Sequence, residues 1–179
     1  MLTPQAYLQE FAQRPDHGPH CLSHKLCWFS SRDGILALTY VCSAYKGRQL
    51  AGICAKRYFT TRLPVAIRGN TNTGFTSYLN TNGMPVPALS AELVMAHELG
   101  HSYGSLHDPD TPLCSPENER GGVYLLNKYA VSGMMPNHYV SSAEWFISID
   151  AFENLTLVLY SHKRPIKGMA VLGKDWRFV

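Results

Sequence analysis

The sequence predicts an α/β domain, and three observations support that fold class. Residues 35–41, "ILALTYV", are β-branched and apolar, follow Gly34, and have the composition of a strand. Residues 91–103 place apolar side chains at helical spacing, with Ser90 positioned to cap the helix and Gly104 positioned to end it. Hydrophobic residues make up 45% and charged residues 16% of the 179 residues, which is typical of one globular domain with a core.

Shorter patterns predict the other elements along the chain. Residues 7–11 predict a short helix that stops before Pro15. Residues 64–67 predict a short strand, and residues 155–160 predict a buried one. Residues 68–87 are rich in turn-forming residues and predict a surface connection that leads into the long helix. The positions of that helix expected to face a core are Leu93, Val94, Ala96 and Leu99.

Composition argues against a nucleic-acid partner and against a membrane-spanning segment. The formal net charge is only +3 and the basic residues are scattered, so no nucleic-acid partner is expected. No apolar run approaches the roughly twenty residues that span a bilayer, so no transmembrane segment is expected. The start of the chain, "MLTPQAYLQEF", has neither the basic region nor the apolar region of a signal peptide.

The cysteines leave their pairing open. There are five, and an odd number leaves at least one thiol free or paired with another chain. None belongs to a Cys-x-x-Cys pair, so a cysteine zinc site is not expected. Either the five pair in an arrangement of their own or some of them stay reduced. They are Cys21, Cys27, Cys42, Cys54 and Cys114.

Residues 97–108, "HELGHSYGSLHD", have the spacing of a metal site. His97 and His101 are four residues apart, so a helix presents both from one face, one turn apart. Gly104 adopts positive φ without steric cost, so the helix can end there and the chain can return His107 to the same ion. Three imidazoles and one open position are typical of a catalytic Zn²⁺ ion, because structural sites use four protein ligands.

Glu98 completes the chemistry of this segment. A catalytic zinc ion lowers the pKa of a bound water to about 7, and Glu98 would act as the general base that removes its proton. The predicted reaction is hydrolysis of a peptide bond. The alternative is a solvated, histidine-rich helix end that contains His-Glu-x-x-His by chance. Each further fixed position of the string HExxHxxGxxHD makes that alternative about tenfold rarer.

At these residues the chain resembles the adamalysin (reprolysin) family of metzincin zinc endopeptidases. Within it, the resemblance is to the sheddase branch that includes Kuzbanian and tumour-necrosis-factor-α converting enzyme. "CLSHKLCWFSSRDGILALTYV" resembles a Cys-Leu-Ala segment that leads into a Gly-x-Leu-Gly-Leu-Ala strand. "GICAK", "NTGFTSYLNTNGMPVP" and "YAVSG" resemble further elements of the branch. The resemblance covers roughly residues 7–139.

The resemblance implies a metzincin-like mixed, twisted sheet over the helix of residues 91–103, with a cleft between the sheet and the part of the chain after His107. The strand of residues 35–41 would form the upper rim of the cleft and pair antiparallel with an extended substrate. By pattern alone, an ordinary interior strand explains these residues equally well. The implied substrate-binding residues are Ile35, Leu36, Ala37 and Leu38 on the rim, and Ala130, Val131, Ser132 and Gly133 around the pocket for the side chain after the cut.

The resemblance also implies which residues support the site. Asp108 would anchor the region below the zinc without binding it. Leu126 stands where metzincins have a methionine in a tight turn beneath the ion, and leucine supplies similar apolar volume. No cysteine follows Cys114, where the resemblance implies a downstream partner.

The resemblance further implies a domain organisation. The amino-terminal part of the catalytic domain, with several strands of its sheet, is expected to be missing, and the similarity ends near Ser141. We therefore expect a partial metzincin-like catalytic domain over residues 1–141 and a divergent tail over residues 142–179. A chain of this kind is expected to be marginally stable.

The predicted function is zinc-dependent hydrolysis of extended polypeptides, with ectodomains of membrane proteins as substrates and an extracellular or cell-surface location by resemblance. Two alternatives remain. One is a catalytically impaired zinc-binding fragment that captures substrates or acts as a decoy; the missing part of the sheet favours it and the intact Glu98 disfavours it. The other is an intracellular zinc hydrolase, which would explain the odd thiol and the lack of a visible signal peptide.

Overall fold

The computed structural model describes residues 3–17, 19–45, 48–55, 58–60, 67–140, 157–161 and 164–165. The helices are α1 (Pro4–Ala12) and α2 (Ala88–Tyr103). The strands are β1 (Leu22–Cys27), β2 (Ala37–Thr39), β3 (Ser43–Tyr45), β4 (Arg48–Ala51), β5 (Tyr58–Thr60), β6 (Ile67–Gly69), β7 (Thr73–Ser77), β8 (Leu157–Ser161) and β9 (Arg164–Pro165). Short 3₁₀ turns lie at Pro15–His17, Asn118–Arg120 and Pro136–Tyr139.

The main sheet is mixed and has the strand order β2-β7-β1-β8-β9. β1 pairs in parallel with both β7 and β8, whereas β2 pairs antiparallel with β7 and β9 pairs antiparallel with β8. β3 and β4 form one separate hairpin ladder, and β5 and β6 form another. The predicted α/β architecture with a mixed sheet is therefore confirmed.

The two helices cover opposite faces of this sheet. Tyr7 of α1 packs edge-on against Phe75 of β7, with ring centroids 4.9 Å apart. Thr39 of β2 lies opposite Gly74 of β7 and bonds through its hydroxyl to Ser102 of α2. Neighbouring residues of a strand point to opposite faces of the sheet. Phe75 faces α1 and Gly74 faces the side of α2, so the two helices lie on opposite faces. The core on the α1 face includes Leu8, Cys27 and Phe75, with Tyr7, Phe29, Leu38 and Tyr40 packed around them.

The first helix is longer than predicted. It begins at Pro4 rather than residue 7, because the Thr3 hydroxyl caps it by accepting a hydrogen bond from the Ala6 N–H at 3.2 Å, and Pro4 suits the first turn. Of the predicted strand at residues 64–67, Ile67 begins β6, and residues 64–66 lie outside the described residues. The strand predicted at residues 155–160 is present as β8, while residues 155–156 also lie outside the described part.

The strand predicted at residues 35–41 is shorter and lies at an edge. Only Ala37–Thr39 forms β2, and within the described residues β2 pairs with β7 alone. The interior-strand alternative is therefore wrong. The Leu36 carbonyl accepts from the Ser77 N–H, and the Tyr40 N–H donates to the Thr73 carbonyl. Because antiparallel pairing alternates along the strand, the backbone groups of Ala37 and Thr39 face away from β7.

The prediction of a surface connection over residues 68–87 is wrong. Residues 73–77 of this segment form β7, which lies inside the sheet and is buried along its whole length. The polar side chains are tolerated there because they bond locally: the Thr73 hydroxyl donates to the Asn70 carbonyl at 2.8 Å, and Thr76 bonds to His24. Turn geometry is confined to residues 80–84, where Gly83 has φ of 72°.

The start of the long helix also differs from the prediction. α2 begins at Ala88, with Pro87 at the cap position and no side-chain cap, so Ser90 lies inside the first turn and is not the cap. The fixed φ of Pro87 favours helix entry, and its carbonyl accepts the Ala91 N–H at 3.0 Å. The predicted end is confirmed, because Gly104 closes the helix in the left-handed conformation with φ of 108°.

The cysteines are partly paired. One disulfide joins Cys21 and Cys54, whereas Cys27, Cys42 and Cys114 are free thiols. Of the two alternatives that the sequence left open, the structure shows the one in which some cysteines stay reduced, with one disulfide and three free thiols. Separately, no helix among the described residues is long and apolar enough to cross a membrane.

His24 is a buried titratable group in the centre of the sheet. Its side chain is fully buried in β1, and its Nε2 lies 2.8 Å from the Thr76 hydroxyl. Desolvation lowers the pKa of His24 from 6.5 to about 3. Between these two pKa values the unfolded chain binds a proton that the folded chain does not, so stability from this group falls as pH falls through 6.5 towards 3.

We therefore expect acid to destabilise the fold through His24. Lowering the pH from 7 to 5 should reduce the free energy of unfolding by about 2 kcal/mol through this residue alone. Urea unfolding of the wild type and of His24→Gln at both pH values measures the effect. Glutamine retains a polar group towards Thr76 and does not titrate, so its pH dependence should be shallower. The same pH dependence in both proteins would contradict this assignment.

Candidate metal centre and catalytic cleft

The three predicted histidine ligands lie together in the structure. One nitrogen of each of His97, His101 and His107 lies within 4.8 Å of the others. The ring centroids of His97 and His101 are 4.5 Å apart, and that of His107 lies 5.2 and 4.8 Å from them. α2 presents the first two from one face, and the chain reverses at Gly104 to bring back the third. The spacing in the sequence therefore corresponds to a cluster in space.

Hydrogen bonds orient the two helical rings. The Nδ1 atom of His97 lies 2.8 Å from the Leu125 carbonyl, and the Nδ1 atom of His101 lies 2.6 Å from the Ser105 carbonyl. A carbonyl accepts only, so each Nδ1 carries the proton and each Nε2 keeps its lone pair for a metal. Burial lowers the pKa of His97 to about 4 and also lowers that of His101, so both rings are neutral at pH 7.

This donor set fits zinc. Imidazole nitrogens bind zinc at about 2.0–2.1 Å, which in a tetrahedral site places them about 3.4 Å apart. All three nitrogens lie within 4.8 Å of one another, so any pair would close by at most roughly 1.4 Å on binding. His107 is exposed and follows the end of the helix, so it is the ring with room to move. Three imidazole ligands leave one coordination position for water or substrate.

Glu98 lies beside the histidines on the floor of the same cleft. Its side chain is only 6% exposed, and desolvation raises its pKa from 4.5 to about 8. A carboxyl group with a pKa near neutrality can both take up and release a proton at physiological pH. The environment of Glu98 therefore suits the predicted role of general base.

Two successive carbonyls tie the segment below the site to the histidines. The Leu125 carbonyl orients His97, and the Leu126 carbonyl accepts the Asp108 N–H at 3.0 Å, directly after His107. The Leu126 side chain is fully buried, and Asp108 is buried as well. Leu126 and Asp108 thus lie where the resemblance implies supporting residues.

Leu126 allows a direct test of this support. Leu126→Ala should lower the free energy of unfolding by about 2–5 kcal/mol through the cavity it leaves, whereas Leu126→Met should cost less than about 1.5 kcal/mol. Leu126→Ala should also weaken zinc binding, because the carbonyls of this turn hold both ends of the cluster. Chemical denaturation and zinc titration measure the two effects. Leu113 is 80% exposed, and Leu113→Ala is the matched control; equal losses in both alanine variants would refute the role of Leu126.

The cleft above the histidines has a volume of about 570 Å³. The predicted rim residues line one side of it, and Ala130 and Val131 line the other. Ser132 and Gly133 do not belong to its lining. Gly133 is instead held from behind: its N–H donates to His138 Nδ1 at 3.0 Å, and its carbonyl accepts the Tyr139 hydroxyl at 2.7 Å. These contacts fix the end of the pocket wall without placing Gly133 in the pocket. The rim residues in contact with the cleft are Ile35, Leu36, Ala37 and Leu38.

Sequence reasoning missed part of the cleft floor. Leu93 and Val94 are buried core residues, as expected, but both also line the cleft beside the histidines. Helical spacing contained the signal, because Leu93 precedes His97 by four residues and Val94 precedes Glu98 by four. Lys128 and Tyr129 also line the cleft, and no pattern in the sequence predicted their position there.

The fold and the site together define a metallopeptidase type of α/β domain, in which a helix below a mixed sheet presents two histidines and a glutamate. A family model described as Metallo-peptidase family M12B Reprolysin-like matches residues 3–143. The chain therefore belongs to the M12B reprolysin-like metallopeptidase family. The resemblance inferred from the motifs is confirmed.

Individual relatives support the same assignment. The chain is 30% identical over 145 residues to the disintegrin and metalloproteinase domain-containing protein 17 homolog of Caenorhabditis elegans, covering 75% of this chain and 21% of that protein. It is 33% identical over 125 residues to the disintegrin and metalloproteinase domain-containing protein 10 homolog of Caenorhabditis elegans, covering 69% of this chain and 13% of that protein. The human disintegrin and metalloproteinase domain-containing protein 10 is 30% identical over 130 residues, covering 69% of this chain and 16% of that protein. The chain thus spans about a fifth or less of the length of these relatives.

Proposed function

We propose that this chain is a zinc-dependent endopeptidase that hydrolyses extended polypeptides. The observation that supports this most directly is the buried Glu98 carboxyl group beside three neutral or exposed imidazoles on the floor of an open cleft. His97, His101 and His107 would hold one zinc ion. Family membership supports the same reaction class.

The proposed mechanism assigns a role to each part of the cleft. Zinc, when bound, supplies Lewis-acid polarisation for water and for the peptide carbonyl. Glu98 takes a proton from the attacking water and delivers it to the leaving amine nitrogen. Burial of Glu98 raises its pKa to about 8 in the metal-free chain, so this side chain can accept a proton near neutral pH.

The edge strand supports binding of an extended chain. Ala37 and Thr39 of β2 direct backbone groups away from β7, so an extended substrate can add to this edge antiparallel. Ala130 and Val131 would contact the side chain after the scissile bond on the opposite side. The apolar side chain of Val131 favours an apolar side chain at that subsite.

The finer assignments follow the resemblance to the sheddase branch. We propose ectodomains of membrane proteins as substrates and an extracellular or cell-surface location, supported by the similarity to disintegrin and metalloproteinase domain-containing proteins. We also propose that residues 1–141 form the partial catalytic domain and that residues 142–179 form a divergent tail. The family match over residues 3–143 supports the first assignment.

Cleavage of a quenched fluorogenic peptide by the purified, zinc-loaded chain tests the proposal. The expected result is hydrolysis that stops on chelation and returns when zinc is restored. A chain that binds zinc and the peptide without cleaving it would instead be the catalytically impaired, substrate-capturing alternative.

A further inference from the structure

A hydroxyl pair connects the rim strand to the helix that bears the proposed catalytic residue. The Oγ1 atom of Thr39 in β2 lies 2.9 Å from the Oγ atom of Ser102 in α2. Thr39 also donates to the Thr73 carbonyl at 3.1 Å, and Ser102 donates to the Glu98 carbonyl at 3.1 Å. One continuous chain of contacts therefore runs from β7 through β2 to the helical turn that contains Glu98.

Burial of Ser102 and the glycine at position 74 leave space for this hydroxyl pair and restrict its geometry. Ser102 is fully buried, and Thr39 lies opposite Gly74 across the β2–β7 ladder. A Cβ atom at Gly74 would approach Thr39 Oγ1 to 2.7 Å and the Thr39 Cβ to 2.9 Å, so only glycine leaves room for this threonine side chain. In the Gly-x-Leu-Gly-Leu-Ala pattern that residues 34–39 resemble, alanine occupies the position of Thr39 and has no hydroxyl.

The hydrogen bonds of the pair are interdependent. Two hydroxyl protons serve three contacts, since the carbonyls of Thr73 and Glu98 accept only. The proton of Ser102 is directed either to Thr39 or to the Glu98 carbonyl. Removing one hydroxyl therefore alters the contacts of the other, and the two residues act as a unit.

We infer that Thr39 and Ser102 are positioning residues that set the register between a substrate strand on β2 and Glu98. The Thr39 backbone faces the cleft edge while its side chain bonds to the helix one turn after Glu98. A substrate paired with this edge is thereby held at a defined height above the carboxylate. This inference rests on the proposed function for its catalytic consequence, because reaction rate depends steeply on the placement of the reacting groups.

Threonine offers two matched substitutions for the test. Thr39→Val keeps the shape and removes the hydroxyl, whereas Thr39→Ser keeps the hydroxyl and removes the methyl group. In zinc-loaded protein, Thr39→Val should lower kcat about tenfold with KM changed less than about twofold, and Thr39→Ser should retain at least about half of kcat. Thr39→Val/Ser102→Ala should be no worse than either single variant, because the hydroxyls act as a unit. Equal kcat in Thr39→Val and Thr39→Ser would overturn the inference.

A second measurement needs no metal and no activity. The Tyr40 N–H, next to Thr39, bonds to the Thr73 carbonyl at 3.3 Å, so its hydrogen exchange reports on how firmly the rim is held. In metal-free protein, Thr39→Val should raise that exchange rate about tenfold, and Thr39→Ser should restore protection. Unchanged exchange in Thr39→Val would overturn the inference even if the wild-type chain cleaves peptides. If the wild-type chain does not cleave peptides, the proposed function fails, and this exchange measurement still decides whether the pair holds the rim.

Discussion

Replacing Glu98 with glutamine should lower kcat for peptide hydrolysis by roughly 10²–10⁴-fold, while zinc binding and folding persist. Glutamine has nearly the same shape as glutamate but cannot accept a proton from water. The rings of His97 and His101 do not depend on the carboxyl group, because their orientation comes from the carbonyls of Leu125 and Ser105. Loss of hydrolysis without loss of metal would separate proton transfer from metal binding.

The burial of Glu98 makes the substitution mild for stability. Its pKa is raised to about 8 in the metal-free chain, so the carboxyl group is mostly protonated and neutral at pH 7. A neutral amide in the same place therefore has a similar desolvation cost. We expect the unfolding midpoints of the metal-free wild type and of Glu98→Gln to differ by only a few degrees.

The control for this substitution lies on the same helix. Glu92 is exposed and outside the cleft lining, so Glu92→Gln makes the same chemical substitution without touching the site. It should hydrolyse the fluorogenic peptide at the wild-type rate. Steady-state kinetics with zinc content measured on each sample provide the comparison. Hydrolysis by Glu98→Gln above a tenth of the wild-type rate would rule out the proposed proton transfer.

The metal centre was predictable from the sequence because its spacing is local. His97, Glu98 and His101 occupy adjacent turns of one helix, and helical geometry alone places them together. Gly104 indicates the reversal that returns His107, because glycine adopts the left-handed backbone conformation at this point without steric strain. The remaining support comes from a later segment of the chain: the resemblance indicated Leu126, whereas the contact of the Leu125 carbonyl with His97 was not predicted.

The fold was harder to predict where burial depends on distant partners. β7 appears polar and turn-rich in sequence, yet its threonines find hydrogen-bond partners at Asn70 and His24 that no local pattern reveals. The long helix begins earlier than Ser90 suggests, because Pro87 fixes the entry of the chain without a side-chain cap. In both cases the sequence identified polar or capping residues, but it did not show where they lie in the fold. Tertiary contacts decide which polar groups find hydrogen-bond partners in the interior.

Zinc should stabilise this chain strongly and specifically through the three histidines. A ligand that binds only the folded state, at a thousandfold excess over its Kd, contributes about 4 kcal/mol to folding. For a domain of this size, that corresponds to a rise in the unfolding midpoint of roughly 10 °C. The folded chain already holds the Nε2 atoms of His97 and His101 neutral and unprotonated, so little reorganisation precedes binding.

The three ligands should not contribute in the same way. His97→Ala and His101→Ala each remove a buried or half-buried ring with a fixed orientation, and each should abolish the zinc-dependent rise. His107 is exposed and lies beyond the end of the helix, so His107→Ala should retain weak binding through the other two rings. Differential scanning calorimetry with zinc and with chelator, paired with zinc titration, distinguishes these cases.

His20→Ala, outside the cluster, is the control and should keep the full rise in the unfolding midpoint. A high, cooperative melting temperature that zinc does not change in the wild type would show that the three rings do not share one ion, because a ligand bound only by the folded state must shift its unfolding.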